Sequence, residues 1–242
     1  FRAVRYEQRL SFRIEDGTLD RLRAAVAENS IAGLSADRVR HELQLILQED
    51  RPEAPLRRAS ELEALAGVHP DLIDLDPIGR LALLENGGET ESRDLGELVW
   101  LAALTYPLGK AQGEGLIQRL NMPGDWQRTV RGAIELRGTE TRLDREDLSG
   151  SDLFHLLERF PEDVLRAVSL VSGSGKVKQR LDEYLNRLRH ITGELDGGDL
   201  RAMGVPQGPE IGEILARLRD ARLDGAVTTK AGQVKMVNEF IT

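Results

Sequence analysis

The segment that decides the fold runs from FRAVRYEQRLSFRIEDG (residues 1–17) to SIAGLSADRVRHELQLIL (residues 30–47). If the first part is a helix, at about 100° per residue, then Arg2, Arg5 and Arg9 fall in one stripe. Three apolar residues gather on the opposite side: Ala3, Tyr6 and Leu10. The pattern predicts a first helix with an apolar back and a cationic front.

A second helix is predicted to begin after Ser35, with Asp37 in its first turn, where the helix dipole favours a carboxylate. Its apolar residues recur at helical spacing: Val39, Leu43, Ile46 and Leu47. Its charged residues fall near the surface: Arg38, Arg40 and Glu42. On these residues alone, the simplest interpretation is two amphipathic helices with solvated charges, since a charge run is usually a solvated face.

Composition narrows the possible functions. The 242 residues are 40% hydrophobic, enough for one elongated or two compact domains. A net charge of −8 argues against indiscriminate binding to nucleic acid or to an anionic membrane, but it is compatible with the local cationic patches that RNA binding needs. Because aromatic residues make up only 4%, RNA contacts are expected to go to backbone and shape rather than to stacked bases.

Cysteine usage and hydropathy bear on the compartment. The absence of cysteine excludes disulfides and thiolate metal sites. No apolar run approaches the length of about 20 residues that spans a bilayer, and no signal peptide is visible. We therefore expect a soluble, cytoplasmic protein without a membrane partner.

Helical periodicity continues along the chain and predicts an all-α fold: an elongated array of short antiparallel helices without a sizeable sheet. The most apolar segment, LGELVWLAALTYPL (residues 95–108), is predicted to be a central helix with Trp100 in the core. GGETESRD (residues 87–94) is predicted to be an exposed polar loop, and residues 121–124 to separate two helices.

Two short motifs resemble catalytic sites but lack the required context. Asp74 and Asp76 form an Asp-x-Asp pair, but neither a strand pattern nor glycines precede it, so we interpret the pair as turn and cap residues. The segment at residues 173–176, Gly-Ser-Gly-Lys, lacks the remaining residues of a phosphate loop and is interpreted as a linker and helix start. No catalytic residue and no metal ligand is expected, and a stand-alone hydrolase is the last-ranked function.

The segment KVKQRLDEYLNRLRHI (residues 176–191) is predicted to be a helix with one apolar face. Cations flank that face: Lys176, Lys178, Arg180, Arg187 and Arg189. With Asp182 and Glu183 the local balance is +3 in an acidic chain, which makes the helix a candidate for RNA backbone contact.

Near the end of the chain, residues 197–225 are predicted to form a short helix, a glycine hairpin and a second helix that begins at Pro209. Gly204 and Gly208 would permit the turn and a close approach of the backbone. Such a hairpin can bind a phosphate at a helix N-terminus without reading a base. The alternative is a plain helical corner packed on the rest of the protein. A closing helix is predicted from Thr229.

RAVRYEQRLSFRIEDGTLDRL (residues 2–22) followed by SADRVRHEL (residues 35–43) resembles the neck of the class II tRNA nucleotidyltransferase and bacterial poly(A) polymerase family. Ser11-Phe12 stands where the family has Gly-Phe, and Asp37 where it has Glu. GDLRAMGVPQGPEIG (residues 198–212), continued by LRDARLDG, resembles the family's tail, which grips the tRNA elbow.

The resemblance implies a division into a neck (residues 1–50), a helical body (51–172) and a tail (173–242). The family's nucleotide-templating motif and catalytic Asp-x-Asp lie before the position of Phe1, so we expect a piece of a longer protein without the catalytic head. The parent enzyme would transfer AMP or CMP to an RNA 3′ end with magnesium and ATP or CTP, but no cofactor is expected in this chain. Whether this chain is itself an enzyme is left open.

The same resemblance suggests roles for particular residues. Four residues would brace the neck near the nucleotide: Arg2, Arg5, Arg38 and Glu42. Of these, Arg38 and Glu42 would form an i, i+4 pair. Seven would contact RNA: Arg9, Lys176, Lys178, Arg180, Gly204, Gly208 and Gly212. The expected partners are tRNA or another RNA 3′ end and the missing nucleotidyltransferase head. The competing hypothesis, which the acidic net charge favours, is a non-catalytic helical module for protein interaction or dimerisation; the oligomeric state is left open.

Overall fold

The computed structural model describes residues 1–86 and 95–241. Within these residues the regular secondary structure is helical, and there is no β-strand. The predicted all-α class is confirmed for this part of the chain; the loop predicted at residues 87–94 lies outside it. The α-helices are α1 (Arg2–Arg9), α2 (Asp16–Ala27), α3 (Ala36–Leu47), α4 (Glu53–Glu61), α5 (Asp76–Asn86), α6 (Glu97–Thr105), α7 (Lys110–Leu120), α8 (Gly124–Leu143), α9 (Gly150–Leu157), α10 (Glu162–Val171), α11 (Gly175–Asn186), α12 (Gly197–Ala202), α13 (Pro209–Leu223) and α14 (Lys230–Ile241).

The chain divides into two compact units. The first unit contains residues 1–141 and 160–178, and the second contains residues 142–159 and 179–242. Each unit therefore draws on two separate stretches of sequence.

The core of the first unit is built around α6, as predicted. Every residue of α6 from Val99 to Thr105 is buried, and the side chain of Trp100 lies in the core. Helices α3, α5 and α10 pack around α6. A helix that is apolar on all sides can be stable only when it is covered all round, which is what these three neighbours provide.

The helix predicted after Ser35 is confirmed as α3, and all four residues predicted to be buried are buried: Val39, Leu43, Ile46 and Leu47. Two arginines tie neighbouring segments together. Arg40 donates a hydrogen bond to the Leu120 carbonyl at 3.0 Å, where α7 ends, and Arg119 donates to the Ile31 carbonyl at 3.0 Å. The Leu120 carbonyl lies at the end of α7, where the helix itself offers it no backbone partner. The Ile31 carbonyl also accepts from the Leu34 N–H, at 3.1 Å.

Several turns follow the sequence signals. The break predicted at residues 121–124 is confirmed, with Asn121 in the left-handed region at φ 45°. Asp74 accepts a hydrogen bond from the Asp76 backbone N–H at 3.0 Å, as expected for a turn residue. Helix α4 stops at Glu61, because Glu63 is left-handed at φ 56°.

Helix α11 is shorter than the helix predicted for residues 176–191. It ends at Asn186 because Arg187 leaves the helical region, with φ −130° and ψ −63°. A 3-10 turn over Leu188–His190 continues the path predicted for residues 176–191. The predicted linker and helix start at residues 173–176 is confirmed.

Ser11 follows α1 in the left-handed region, at φ 52°. The N–H of the next residue, Phe12, bonds the Glu7 carbonyl at 3.0 Å and so closes the end of the helix. This is the geometry that glycine adopts most easily, because a Cβ is unfavourable there. The position is also the one at which the family pattern has glycine.

We predict that Ser11→Gly stabilises the protein by about 0.5–1 kcal/mol, since relief of the left-handed strain exceeds the added entropy of the unfolded chain. Urea unfolding measures the effect as a higher midpoint at unchanged slope. Ser35→Gly is the matched control: Ser35 has φ −61° and its side chain makes no capping bond. The control should lose a few tenths of a kcal/mol. Equal shifts of the two midpoints would contradict the prediction.

The second unit has its own core in the last fifty residues. Six buried side chains form it: Leu195, Leu200, Val205, Ile214, Leu218 and Val237. The predicted hairpin is present as α12, a turn and α13, with Pro209 at the first helical position, and the predicted closing helix is α14. The buried Gln233 side chain accepts hydrogen bonds from the backbone N–H groups of Glu194 and Leu195, which fixes the segment leading into α12.

Candidate nucleic-acid interface

The orientation of α1 differs from the prediction. Tyr6 and Leu10, expected on an apolar back, are 37% and 47% exposed, whereas Arg5 and Glu7 are buried. The predicted apolar back is therefore wrong. The reason is that α1 packs with α4 and its surroundings partly through ion pairs, so that charged side chains occupy positions that spacing alone assigns to solvent.

Arg5 is held on two sides. Its Nη1 donates to Glu49 Oε1 at 3.0 Å, and its guanidinium lies 4.8 Å from the centre of the Tyr6 ring. Burial acts to lower the pKa of Arg5, but the hydrogen bonds to Glu49 and Tyr6 raise it above its usual value. Arg2 also lies over the Tyr6 ring, at 5.8 Å. Hydrogen bonds from Arg2, which has the larger effect, and from Arg5 lower the pKa of the Tyr6 hydroxyl.

Of the three arginines predicted to form a cationic front, Arg2 and Arg9 are exposed and Arg5 is not. Arg9 lies 3.9 Å from Glu49 and is 57% exposed. The charges available to a ligand on this face are therefore those of Arg2 and Arg9, whereas Arg5 is already occupied by Glu49.

Glu7 connects α1 to the following turn and to α4. One carboxylate oxygen accepts from the Ile14 backbone N–H at 3.0 Å, and the other from Arg58 Nε at 2.8 Å. Burial acts to raise the pKa of Glu7, but these two bonds lower it below its usual value. A buried carboxylate with two donors is stable as the charged form.

Arg38 is exposed and Glu42 is half-buried on α3. No ion pair within 4.0 Å joins these two described residues, so the expected i, i+4 pair is not formed. Glu42 Oε2 is buried without a hydrogen-bond partner. Their predicted role beside a nucleotide stays a prediction.

The cations of α11 differ in availability. Lys178 is exposed, Lys176 and Arg180 are half-buried, and Arg180 donates to the Arg145 carbonyl. Arg187 pairs with Glu183. Lys178 thus remains an exposed charge on the helix that the sequence singles out.

The glycine hairpin presents an open helix N-terminus. Gly204 is left-handed at φ 98°, as a tight turn requires, and Gly208 precedes Pro209 at the start of α13. Gly208 and Gly212 are exposed, with no atom within 4 Å of where a Cβ would stand. The start of α12 is different, because Asp196 accepts hydrogen bonds from the Gly198 and Asp199 N–H groups.

The first turn of α13 contains Glu210, but no side chain caps its backbone N–H groups, whereas the Asp196 carboxylate caps those of α12. An anion could therefore reach the N–H groups of α13 more readily than those of α12. This contrast between the two helix starts is consistent with the phosphate contact predicted for Gly204, Gly208 and Gly212. Their contact with RNA stays a prediction.

A groove also opens on the first unit between the end of α1 and α4. Its walls include Phe12, Arg13, Arg51 and Arg57. No groove was predicted here from the sequence, since nothing in the spacing of these side chains marks them as neighbours.

Within residues 1–86 and 95–241 no group of three or more His, Asp or Glu side chains is placed to hold a metal ion. Among these residues, therefore, no such cluster fits the magnesium expected for the parent enzyme. No helix in the described part is long and apolar enough to cross a membrane.

Comparison with known proteins gives a consistent result. The family model described as "Probable RNA and SrmB-binding site of polymerase A" matches residues 11–75. An A-adding tRNA nucleotidyltransferase of Geobacter sulfurreducens is 31% identical over 98% of this chain. This chain matches the C-terminal region of the tRNA nucleotidyltransferase and poly(A) polymerase family. A second A-adding tRNA nucleotidyltransferase, from Halalkalibacterium halodurans, is 25% identical over 99% of the chain.

The chain spans only part of these relatives: 28% of the length of the first and 55% of the second. Among solved structures, a Thermotoga maritima CCA-adding enzyme complexed with tRNA matches all of the chain at a TM-score of 0.75 and 21% identity, with 60% of its own length covered. A CCA-adding enzyme complexed with ATP matches all of the chain at a TM-score of 0.74, with 59% covered. At this identity the structural matches establish the fold.

Proposed function

We propose that this chain is the RNA-holding part of a tRNA 3′-end nucleotidyltransferase or poly(A) polymerase. It would hold the acceptor stem and elbow through phosphate and shape contacts, while a nucleotidyltransferase head carries out the transfer of AMP or CMP with ATP or CTP and magnesium. The observation that carries the proposal is the 31% identity to an A-adding tRNA nucleotidyltransferase over nearly the whole chain. Such a role would place the protein in the cytoplasm.

In this proposal residues 1–50 act as the neck, 51–172 as the body and 173–242 as the tail. Arg2, Arg5, Arg38 and Glu42 would support the nucleotide site, with Arg5 doing so through its bond to Glu49 rather than as a free cation. RNA phosphates would meet the remaining residues of the predicted set: Arg9, Lys176, Lys178, Arg180, Gly204, Gly208 and Gly212. The exposed Lys178 and the open start of α13 support this assignment.

The test is binding of labelled total tRNA to this chain at 50 and 200 mM salt, with single-stranded RNA of equal length as control. Because phosphate contacts release counterions, tRNA affinity should fall on the order of tenfold or more over this range. The double variant Lys178→Ala, Arg180→Ala should bind tRNA more weakly at 50 mM salt and show a shallower salt dependence.

Lys110→Ala with Arg128→Ala is the matched control. It removes the same charge from two exposed residues, Lys110 and Arg128, that have no assigned role. Equal losses in the two double variants would mean that net charge, rather than the α11 surface, governs binding. A chain that binds tRNA no better than single-stranded RNA at 50 mM salt would contradict the proposal and favour a protein-interaction module, which size-exclusion chromatography would then test.

A further inference from the structure

The groove between the end of α1 and α4 contains an arginine held in place by a buried carboxylate. Arg51 Nε donates to Glu53 Oε1 at 3.0 Å; the Glu53 side chain is 5% exposed and that of Arg51 is 69% exposed. The two terminal amino groups of Arg51 have no partner among the described residues. A guanidinium fixed at Nε in this way keeps both of its outer nitrogen atoms for a ligand, at a reduced entropic cost of binding.

A second arginine of the groove is also uncommitted. Arg57 is exposed and makes no hydrogen bond or ion pair within residues 1–86 and 95–241. Arg13 and Arg58, by contrast, are paired with carboxylates, Arg13 with Asp16 at 3.2 Å and Arg58 with Glu7 at 2.8 Å. The groove thus offers two guanidinium groups to an anion.

An exposed aromatic ring completes the groove. Phe12 is 66% exposed, well above the 37% of Tyr6 and of Phe240. Leaving a phenyl ring in water forgoes the stabilisation that burial would give. A base that stacks on the ring would recover part of it, and base stacking on aromatic side chains is how unpaired RNA is commonly held.

We propose that this groove binds one nucleotide of single-stranded RNA, with the base stacked on Phe12 and a phosphate held by Arg51 and Arg57. The proposal rests on the proposed RNA-holding function and names a site for an unpaired segment within it. Phe12, Arg51 and Arg57 all lie within residues 11–75, the segment that matches the RNA-site model. The proposed site differs from the expectation that RNA contacts go to backbone and shape rather than to stacked bases, since a single exposed ring suffices for one base.

The experiment measures binding of a fluorescein-labelled ten-nucleotide oligo(A) to the full 242-residue chain by fluorescence anisotropy at 50 mM salt. Phe12→Leu keeps an apolar side chain but removes the ring, and it should weaken binding about tenfold. Arg57→Ala should weaken it by several-fold because one phosphate contact is lost. Phe12→Trp should bind at least as tightly as the unmodified chain.

Arg23→Ala is the matched control, since Arg23 lies on α2 within the same segment but outside the groove, and is 61% exposed. It should leave oligo(A) affinity unchanged. Far-UV circular dichroism checks that Phe12→Leu and Arg57→Ala, both at exposed positions, retain the native helix content.

Total tRNA, measured in parallel, separates failure of this proposal from failure of the proposed function. If tRNA binds but oligo(A) does not, or binds equally to Phe12→Leu, Arg57→Ala and Arg23→Ala, the groove proposal is overturned while the RNA-holding function stands. If oligo(A) binding depends on Phe12 and Arg57 but tRNA is not preferred over single-stranded RNA, the groove proposal is supported and the tRNA function fails.

Discussion

Replacing Glu7 by Gln should lower the free energy of unfolding by about 2–3 kcal/mol, because Arg58 and the Ile14 N–H lose a buried charged acceptor. The Glu7 side chain is 7% exposed and bonds both donors within 3.0 Å. Urea unfolding followed by tryptophan fluorescence measures the effect, since Trp100 and Trp126 both lie in the first unit.

Glu61→Gln is the matched control, because Glu61 also pairs with Arg58 but is 62% exposed. A surface pair of this kind contributes little, and the control should change stability by less than about 0.5 kcal/mol. Equal losses for Glu7→Gln and Glu61→Gln would show that burial of the Glu7 pair has no energetic significance.

The loss in Glu7→Gln should also depend on pH. The pKa of Glu7 is lowered in the folded protein, so its contribution is present above the unfolded-state pKa and is lost as pH falls through the folded-state pKa. The stability difference between the unmodified chain and Glu7→Gln should therefore be largest near pH 7 and shrink at pH values below 4.5, the ordinary pKa of Glu. A difference that stays constant down to pH 3 would contradict this account.

Replacing Gly150 by Ala should destabilise the second unit by about 2–3 kcal/mol, because the added methyl group meets backbone that cannot rotate away. A Cβ at position 150 would stand 2.3 Å from the Leu223 carbonyl oxygen and 2.9 Å from its carbon. Helix α9 would have to move away from the end of α13, which would break the hydrogen bonds from the Ser151 N–H and hydroxyl to Asp224, at 2.7 and 2.8 Å.

Thermal unfolding followed by far-UV circular dichroism measures this loss. Gly138→Ala serves as control, since Gly138 lies within α8, is exposed and has no atom within 4 Å of the position that a Cβ would occupy. The control should gain about 0.5–1 kcal/mol from the better helix propensity of Ala. A Gly150→Ala protein as stable as the Gly138→Ala protein would refute the close approach of α9 and α13.

Apolar spacing predicted the parts of the fold that are held together by apolar contact. Helix α3 buries the four residues that its periodicity selects, and α6 is buried on all sides as its composition requires. The orientation of α1 was predicted wrongly, because the residues that its charged side chains contact, Glu49 and Arg58, lie more than forty residues away along the chain. Periodicity assigns an arginine or glutamate to solvent and carries no information about such distant partners.

The same limit applies to single side chains. Two serines stand at the start of α9, Ser149 and Ser151, and residue type alone does not distinguish their roles. Ser149 caps the helix, while Ser151 bonds Asp224 from a distant part of the sequence. The hairpin glycines were predictable because backbone conformation depends on local residue type. The groove between α1 and α4 was not predictable from the sequence, because the availability of Arg51 to a ligand depends on its bond to Glu53 and on the burial of that carboxylate.

The interleaving of the two units has a consequence for synthesis on the ribosome. Helix α10, which packs against α6 in the first unit, is translated only after residues 142–159 of the second unit. The first unit therefore cannot complete its core until residue 178 has emerged, and by then the nascent chain already carries a helix whose partners are still to be made. No single cleavage point in the chain would release either unit intact.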